Sequence, residues 1–169
     1  ARVSLGKAQA AIADFAQQLA LNPKDPAAFA NRGFARFFTG EFAEAAQDFQ
    51  SALELQPTAL HLAIWRYLAQ SRAGNPEKAK TELQKFLEAE SGPQGWVAES
   101  GRFLLGETSA EDLLATAEGN IDKKVSAAQL CEAEFLIGQQ DILSGNPEAA
   151  KAHFEAAVKT NVRYLSAFR

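Results

Sequence analysis

The chain has 169 residues, 47% hydrophobic and 22% charged, which is enough for one ordinary globular domain with a real core. A net charge of −4 and a pI near 5.3 disfavour generic nucleic-acid binding, and no polybasic membrane patch is visible. No stretch approaches the roughly 18 consecutive apolar residues of a membrane span, and Cys131, the single cysteine, has no internal disulfide partner and so names no compartment. The chain lacks methionine and begins at Ala1, so a processed or trimmed protein is expected, and the missing signal peptide does not argue for the cytoplasm.

Period-2 runs of β-branched residues are absent, while Ala, Leu, Glu, Gln and Lys recur with helical periodicity, so the whole chain reads as helix. The first helix is expected over 2–21, with Ala8, Ala11, Ile12, Phe15, Ala16 and Leu19 on one face and Asn22-Pro23 as its stop. Helices are then expected at about 26–39, 42–56, 59–73 and 76–90. The linker Glu90-Ser91-Gly92-Pro93 breaks the chain, and shorter helices follow at about 94–105 and 109–118. The loop Glu118-Gly119-Asn120 leads into 124–143 and 147–160, and 162–169 begins one more helix.

The boundaries carry turn chemistry. Gly74-Asn75-Pro76-Glu77 and Gly145-Asn146-Pro147-Glu148 are the same tetrapeptide. Glycine suits the left-handed position after a helix, asparagine caps the next one, proline fits its first turn, and glutamate suits the helix dipole. Thr108-Ser109-Ala110-Glu111 reads as a capping box.

These boundaries recur at a fixed distance. Gly40 and Gly74, Ala45 and Ala79, Phe49 and Leu83, and Pro23 and Pro57 are each 34 residues apart. Within 26–57 the chain supplies Phe29, Gly33, Ala45, Phe49, Ala52 and Pro57, and a later stretch supplies Gly138, Gly145, Ala150, Phe154 and Ala157. The period and these residues resemble the tetratricopeptide repeat (TPR), with Arg32 and Arg36 standing where Leu and Tyr are usual. The fold expected is all-α: an α-solenoid of antiparallel helix pairs in a single domain, rather than a bundle without a shared period. Its units are a half unit at 1–23, then about 26–58, 59–91, 92–119 (irregular) and 124–161, with a capping helix starting at 162–169. Gly33 and Gly138 are expected to let the helices of a pair approach closely.

A narrower resemblance covers roughly residues 20–169. Asn31-Arg32-Gly33, Ile64-Trp65-Arg66-Tyr67-Leu68-Ala69, Gly95-Trp96, Phe103-Leu104-Leu105-Gly106, Phe135-Leu136-Ile137-Gly138-Gln139 and Ala157-Val158-Lys159-Thr160-Asn161-Val162 carry it. They are similar to the new lipoprotein I (NlpI) family of bacterial outer-membrane TPR lipoproteins. The resemblance implies a periplasmic, lipid-anchored homodimer acting as an adaptor between a tail-specific protease and cell-wall hydrolases.

The residues offer little for catalysis. His61 and His153 lie far apart without an HxxxH or HExxH pattern, and one cysteine with two scattered histidines suggests no metal site. Gly92, Gly95 and Gly101 lack phosphate-loop spacing. Cys131 is expected to be buried and inert, His153 solvated, and Glu41, Glu44, Asp48 and Glu54 solvated on outer helix faces. No enzyme activity, metal or cofactor is expected.

Binding is better supported. In proteins that this chain resembles, the first helix of each pair lines a concave groove. The corresponding positions here are Ala27, Ala30, Phe34, Phe37 and Phe38, then His61, Ile64, Leu68, Ser71 and Arg72, then Trp96 and Phe103, then Phe135 and Gln139. Phe34, Phe38, Arg36, His61, Ile64, Leu68, Arg72, Trp96 and Gln139 are the expected partner-binding residues. Aromatics with a few cations are typical of interaction hot spots, while Phe37, Phe103 and Phe135 have packing against the next unit as an equal alternative. Ala30 and Phe34 exclude the basic carboxylate clamp of chaperone-binding TPR domains, so a hydrophobic segment or helix of a protein partner is expected. Ala8, Ile12, Phe15 and Leu19 form the expected dimer face, because a half unit lacks a helix to cover that stripe. The alternative is a structural module whose main role is self-association.

Overall fold

The computed structural model describes residues 2–89, 92, 94–160 and 162, with side chains from Gly6 onward. The linker residues 90, 91 and 93 and nearly all of the expected capping segment 162–169 lie outside the described residues. The helices are α1 (Arg2–Leu21), α2 (Pro26–Thr39), α3 (Phe42–Leu55), α4 (His61–Arg72), α5 (Pro76–Glu88), α6 (Trp96–Leu105), α7 (Ala110–Glu118), α8 (Lys123–Leu143) and α9 (Pro147–Lys159). Among the described residues there is no strand, so the fold is all-α, a solenoid-type series of antiparallel helix pairs.

The chain divides into two compact units, one running from α1 to Phe86 and one from Leu87 through α9. In the first unit, α1 packs on α2, α2 on α3 and α3 on α4. The core of that unit is Ala28, Phe37, Ala45, Phe49, Ala52, Leu62, Ile64, Leu68, Ala69, Ala79 and Leu83. Burying a ring such as Phe49 contributes about 2–3 kcal/mol. The α4–α5 pair is tied by Arg66–Glu82 at 3.1 Å and Gln70–Glu82 at 2.8 Å, and Arg66 also donates to Gln50 on α3. In the second unit α8 packs against α6, α7 and α9, over Leu104, Leu113, Ala117, Ala133, Leu136, Ile137 and Ala150.

One turn recurs through the chain. After α2, Gly40 takes φ 88°, a left-handed conformation that other residues resist. Its N–H bonds Phe37 O and the next N–H, of Glu41, bonds Arg36 O, the Schellman arrangement. The same pair of bonds follows α4, α6 and α8, at Gly74, Gly106 and Gly145. Asparagine was expected to cap the next helix by its side chain. Asn146 makes no such bond, and Asn75 Nδ2 reaches only Ala73 O at 3.4 Å. These asparagines contribute through backbone N–H groups, bonded to Gln70 O and Asp141 O. The capping box before α7 sits one residue later than expected: Ser109 Oγ accepts from Asp112 N at 3.0 Å and donates to Asp112 Oδ2 at 2.6 Å.

The close approaches expected of Gly33 and Gly138 are present. A Cβ on Gly33 would stand 2.9 Å from Phe49 Cε1, and one on Gly138 would stand 2.6 Å from Phe154 Cε1. The irregular unit differs. Gly101 meets Leu87 of the preceding helix, where an added Cβ would come within 2.8 Å of Cδ2. The position 16 residues after Gly101, which holds Phe49 or Phe154 in the regular pairs, is Ala117. With only a methyl group there, the close contact of Gly101 is with Leu87, within the second unit.

Candidate protein-binding groove

Asp25 starts α2, its carboxylate accepting from Ala27 N at 3.0 Å and Ala28 N at 3.1 Å ahead of Pro26. The Ala28 N–H, then the Gln18 side chain, hold that carboxyl below its ordinary pKa. A helix fixed in this way puts Phe34, Phe37 and Phe38 at i, i+3 and i+4, on one side. Trp65 of α4 meets all three, with ring centroids at 5.0, 5.3 and 6.0 Å. Phe34 also meets Phe49 edge-on at 5.1 Å, and Phe37 meets Phe42 at 5.4 Å. Edge-on pairs at these distances are favourable ring geometry. Phe37 is 4% exposed, whereas Phe38 is 41% exposed. Phe38 thus keeps a partly exposed ring at the edge of this aromatic cluster.

The structure places the expected groove residues differently from one another. Phe34 is half-buried and His61 is exposed at the start of α4. Arg72 lies 4.4 Å over the Phe42 ring, and burial lowers its pKa. Ile64 is 2% and Leu68 0% exposed, so both belong to the core rather than to a contact surface. The position count along the helix does not give its facing, since both side chains are buried. Arg36 is corrected too. Its Nη1 sits 2.7 Å from Asp48 Oδ2, and Arg32 chelates the same carboxylate through Nε at 2.9 Å and Nη2 at 2.7 Å. Asp48, expected on a solvated face, is 3% exposed. The two arginines that replace the usual Leu and Tyr are therefore internal ties between α2 and α3.

On α1, Leu19 is 8% exposed and packed in the core, which removes it from the expected dimer face, while Ala8, Ile12 and Phe15 are half-buried.

In the second unit Trp96 is half-buried and donates from Nε1 to Glu132 Oε2 at 2.8 Å. Burial pushes the Glu132 carboxyl above its ordinary pKa, opposed by that hydrogen bond. Gln139 is 5% exposed and faces inward, so it too leaves the contact set. Cys131 is buried as expected, with Sγ 3.5 Å from Ala157 O. His153 is not simply solvated: Nδ1 lies 2.6 Å from Glu134 Oε2 and Nε2 lies 3.8 Å from Asp141 Oδ2. This pairing joins α9 to α8. Among the described residues no group of three or more His, Cys, Asp or Glu is placed to hold a metal ion.

The residues that sequence reasoning missed are Trp65 and Glu132. Trp65 falls between the counted groove positions, and its signal was the run of three phenylalanines that it had to pack against. Glu132 gave no local signal, since its partner Trp96 is 36 residues away. The arrangement in the first unit can hold an apolar side chain against Phe38 and Phe34, with His61 and Arg72 on the neighbouring helix. Residues 26–58, the α2–α3 pair that carries these aromatics, match the tetratricopeptide repeat family.

Proposed function

We propose that this chain is a non-catalytic adaptor that holds a protein partner on the first helices of its tetratricopeptide-type pairs. Such repeats generally bind protein partners, which supports the general role. The observation that carries the assignment to this face is the Phe38 ring, 41% exposed beside buried Phe37 and half-buried Trp65. A partly exposed aromatic ring at the edge of a packed cluster loses little entropy when a partner covers it. The partner chemistry that fits is a hydrophobic segment or an amphipathic helix.

The setting we propose is the bacterial cell envelope, in the periplasm or lipid-anchored at the outer membrane. The partners there would be an envelope protease or a cell-wall hydrolase. The support is the resemblance of Ile64–Ala69, Phe103–Gly106 and Phe135–Gln139 to the lipoprotein family named above. Affinity capture from periplasmic extract, with the wild-type chain and Phe38→Ala side by side, tests this reading. Capture of an envelope protein that weakens roughly 30-fold with Phe38→Ala supports it. Equal capture by both removes the groove, and capture only from cytoplasmic extract removes the setting.

Self-association is the second reading. It now rests on Ala8, Ile12 and Phe15, which keep partial exposure on α1. Sedimentation showing only monomer at micromolar concentration would dismiss it.

A further inference from the structure

Gly33 and Gly138, Gly40 and Gly145, and Phe49 and Phe154 are each 105 residues apart, so α8–α9 repeats α2–α3 at that offset. The ionic tie across the earlier pair falls on equivalent positions of the later one. Asp48 of α3 holds Arg36 of α2 at 2.7 Å, and adding 105 to the two gives His153 of α9 and Asp141 of α8. The carboxylate has moved to the first helix of the pair and the basic group to the second. Arg32, the other cation on Asp48, corresponds to Ile137, which is 5% exposed. In its place the later pair brings a second carboxylate to the basic group. Glu134 Oε2 lies 2.6 Å from His153 Nδ1, while Asp141 Oδ2 lies 3.8 Å from Nε2. Among the described residues Asp141 Oδ2 is buried without a hydrogen-bond partner.

We propose that His153 is a proton-dependent clamp between α9 and α8. Its imidazolium serves both carboxylates, and loss of one proton releases Asp141. A guanidinium keeps its charge, whereas histidine is the side chain that changes charge between about pH 5 and 8. The imidazolium has two N–H donors, one for Glu134 and one facing Asp141, and the neutral ring keeps a single donor. The 2.6 Å contact holds that donor at Nδ1. Nε2 then turns a lone pair toward the Asp141 carboxylate, whose buried oxygen is left with no donor, a destabilising state. Other charges stay away from the ring. One turn to either side of His153, α9 carries Ala149, Ala150, Ala156 and Ala157. The helix it packs against, α8, presents Glu134 and Asp141 within ion-pair distance. Lys151 and Glu155 line an open apolar depression with Val158 instead. The sign follows from which form the fold prefers. The charged ring makes contacts in the folded state that it lacks in the unfolded one, so its contribution is present in acid and is lost as pH rises.

A double-mutant cycle on the full chain tests the clamp, with His153→Gln, Asp141→Asn and the two together unfolded in urea at pH 5.5 and at pH 8. His153 and Asp141 side chains keep 33% and 23% exposure, so neither replacement empties the core. At pH 5.5 the two positions should be coupled by about threefold in the unfolding equilibrium constant, the size of a partly exposed ion pair. At pH 8 the coupling should vanish. The cycle isolates this pair from titrating groups elsewhere, Glu132 included. Coupling that is absent at pH 5.5, or undiminished at pH 8, overturns the proposal.

Discussion

Phe49 occupies the space that a side chain on Gly33 would need: its Cε1 stands 2.9 Å from the position of a Cβ there, and its ring is fully buried. Gly33→Ala therefore forces either the ring or α2 to move. The expected cost is about 1–3 kcal/mol, typical of overpacking a well-filled core. Gly138→Ala, with 2.6 Å to Phe154, costs at least as much. Urea denaturation measures both, and trimming the ring with Phe49→Leu should offset part of the Gly33→Ala loss, giving a less-than-additive double variant.

Asp48→Asn leaves Arg32 and Arg36 facing each other without their shared counter-charge. Breaking a fully buried pair costs about 3–5 kcal/mol. The guanidinium side chains here keep 16% and 21% exposure, so water screens them and about 1–3 kcal/mol is expected. Chemical denaturation reads this directly. A variant as stable as wild type would mean that the cluster contributes nothing to joining α2 and α3.

Phe37 and Phe38 are neighbours with opposite roles. Phe37→Ala empties a core site and should cost about 3–5 kcal/mol of stability. Phe38→Ala should lower the melting temperature little and weaken partner binding strongly. Thermal melts and a binding titration on the two variants separate the roles. Similar losses of stability in both would assign Phe38 to the core.

Glu132 sets a pH dependence. Its folded pKa is raised above the ordinary 4.5 by burial, so the folded state binds the proton more tightly than the unfolded state does. The stability this proton provides is full below about 4.5 and is lost as pH rises through the folded pKa. Glu132→Gln keeps an acceptor for the Trp96 N–H without a buried charge. It should match wild type in acid and become the more stable protein as pH rises, levelling off above the folded pKa. Melting temperatures from pH 4 to pH 8 follow the difference, and a difference independent of pH would contradict the account.

Helix positions were legible because two local signals agreed, 3.6-residue periodicity and the glycine turns that end the helices. The helix pairs were legible from the 34-residue spacing of Gly40 and Gly74. The candidate site was read less well. Asp48 looks like any polar residue on an outer face, because its burial depends on two arginines across a helix boundary. The clue was present in Arg32 and Arg36, which break the usual pattern in exchange for that carboxylate. Ile64 and Leu68 were assigned to the groove from a count along one helix. A count gives the angle of a side chain about its own axis but not what neighbouring helices lay over it.

The central claim is that the Phe38 face meets a protein partner, and site-specific photo-crosslinking tests it most directly. A benzophenone side chain replaces Phe38 in one protein and Glu44, exposed on α3, in another, each expressed in cells and irradiated. The account predicts a discrete protein adduct from position 38 that position 44 does not give and that Phe34→Ala diminishes. Adducts equal at both positions, or none at position 38, would contradict it.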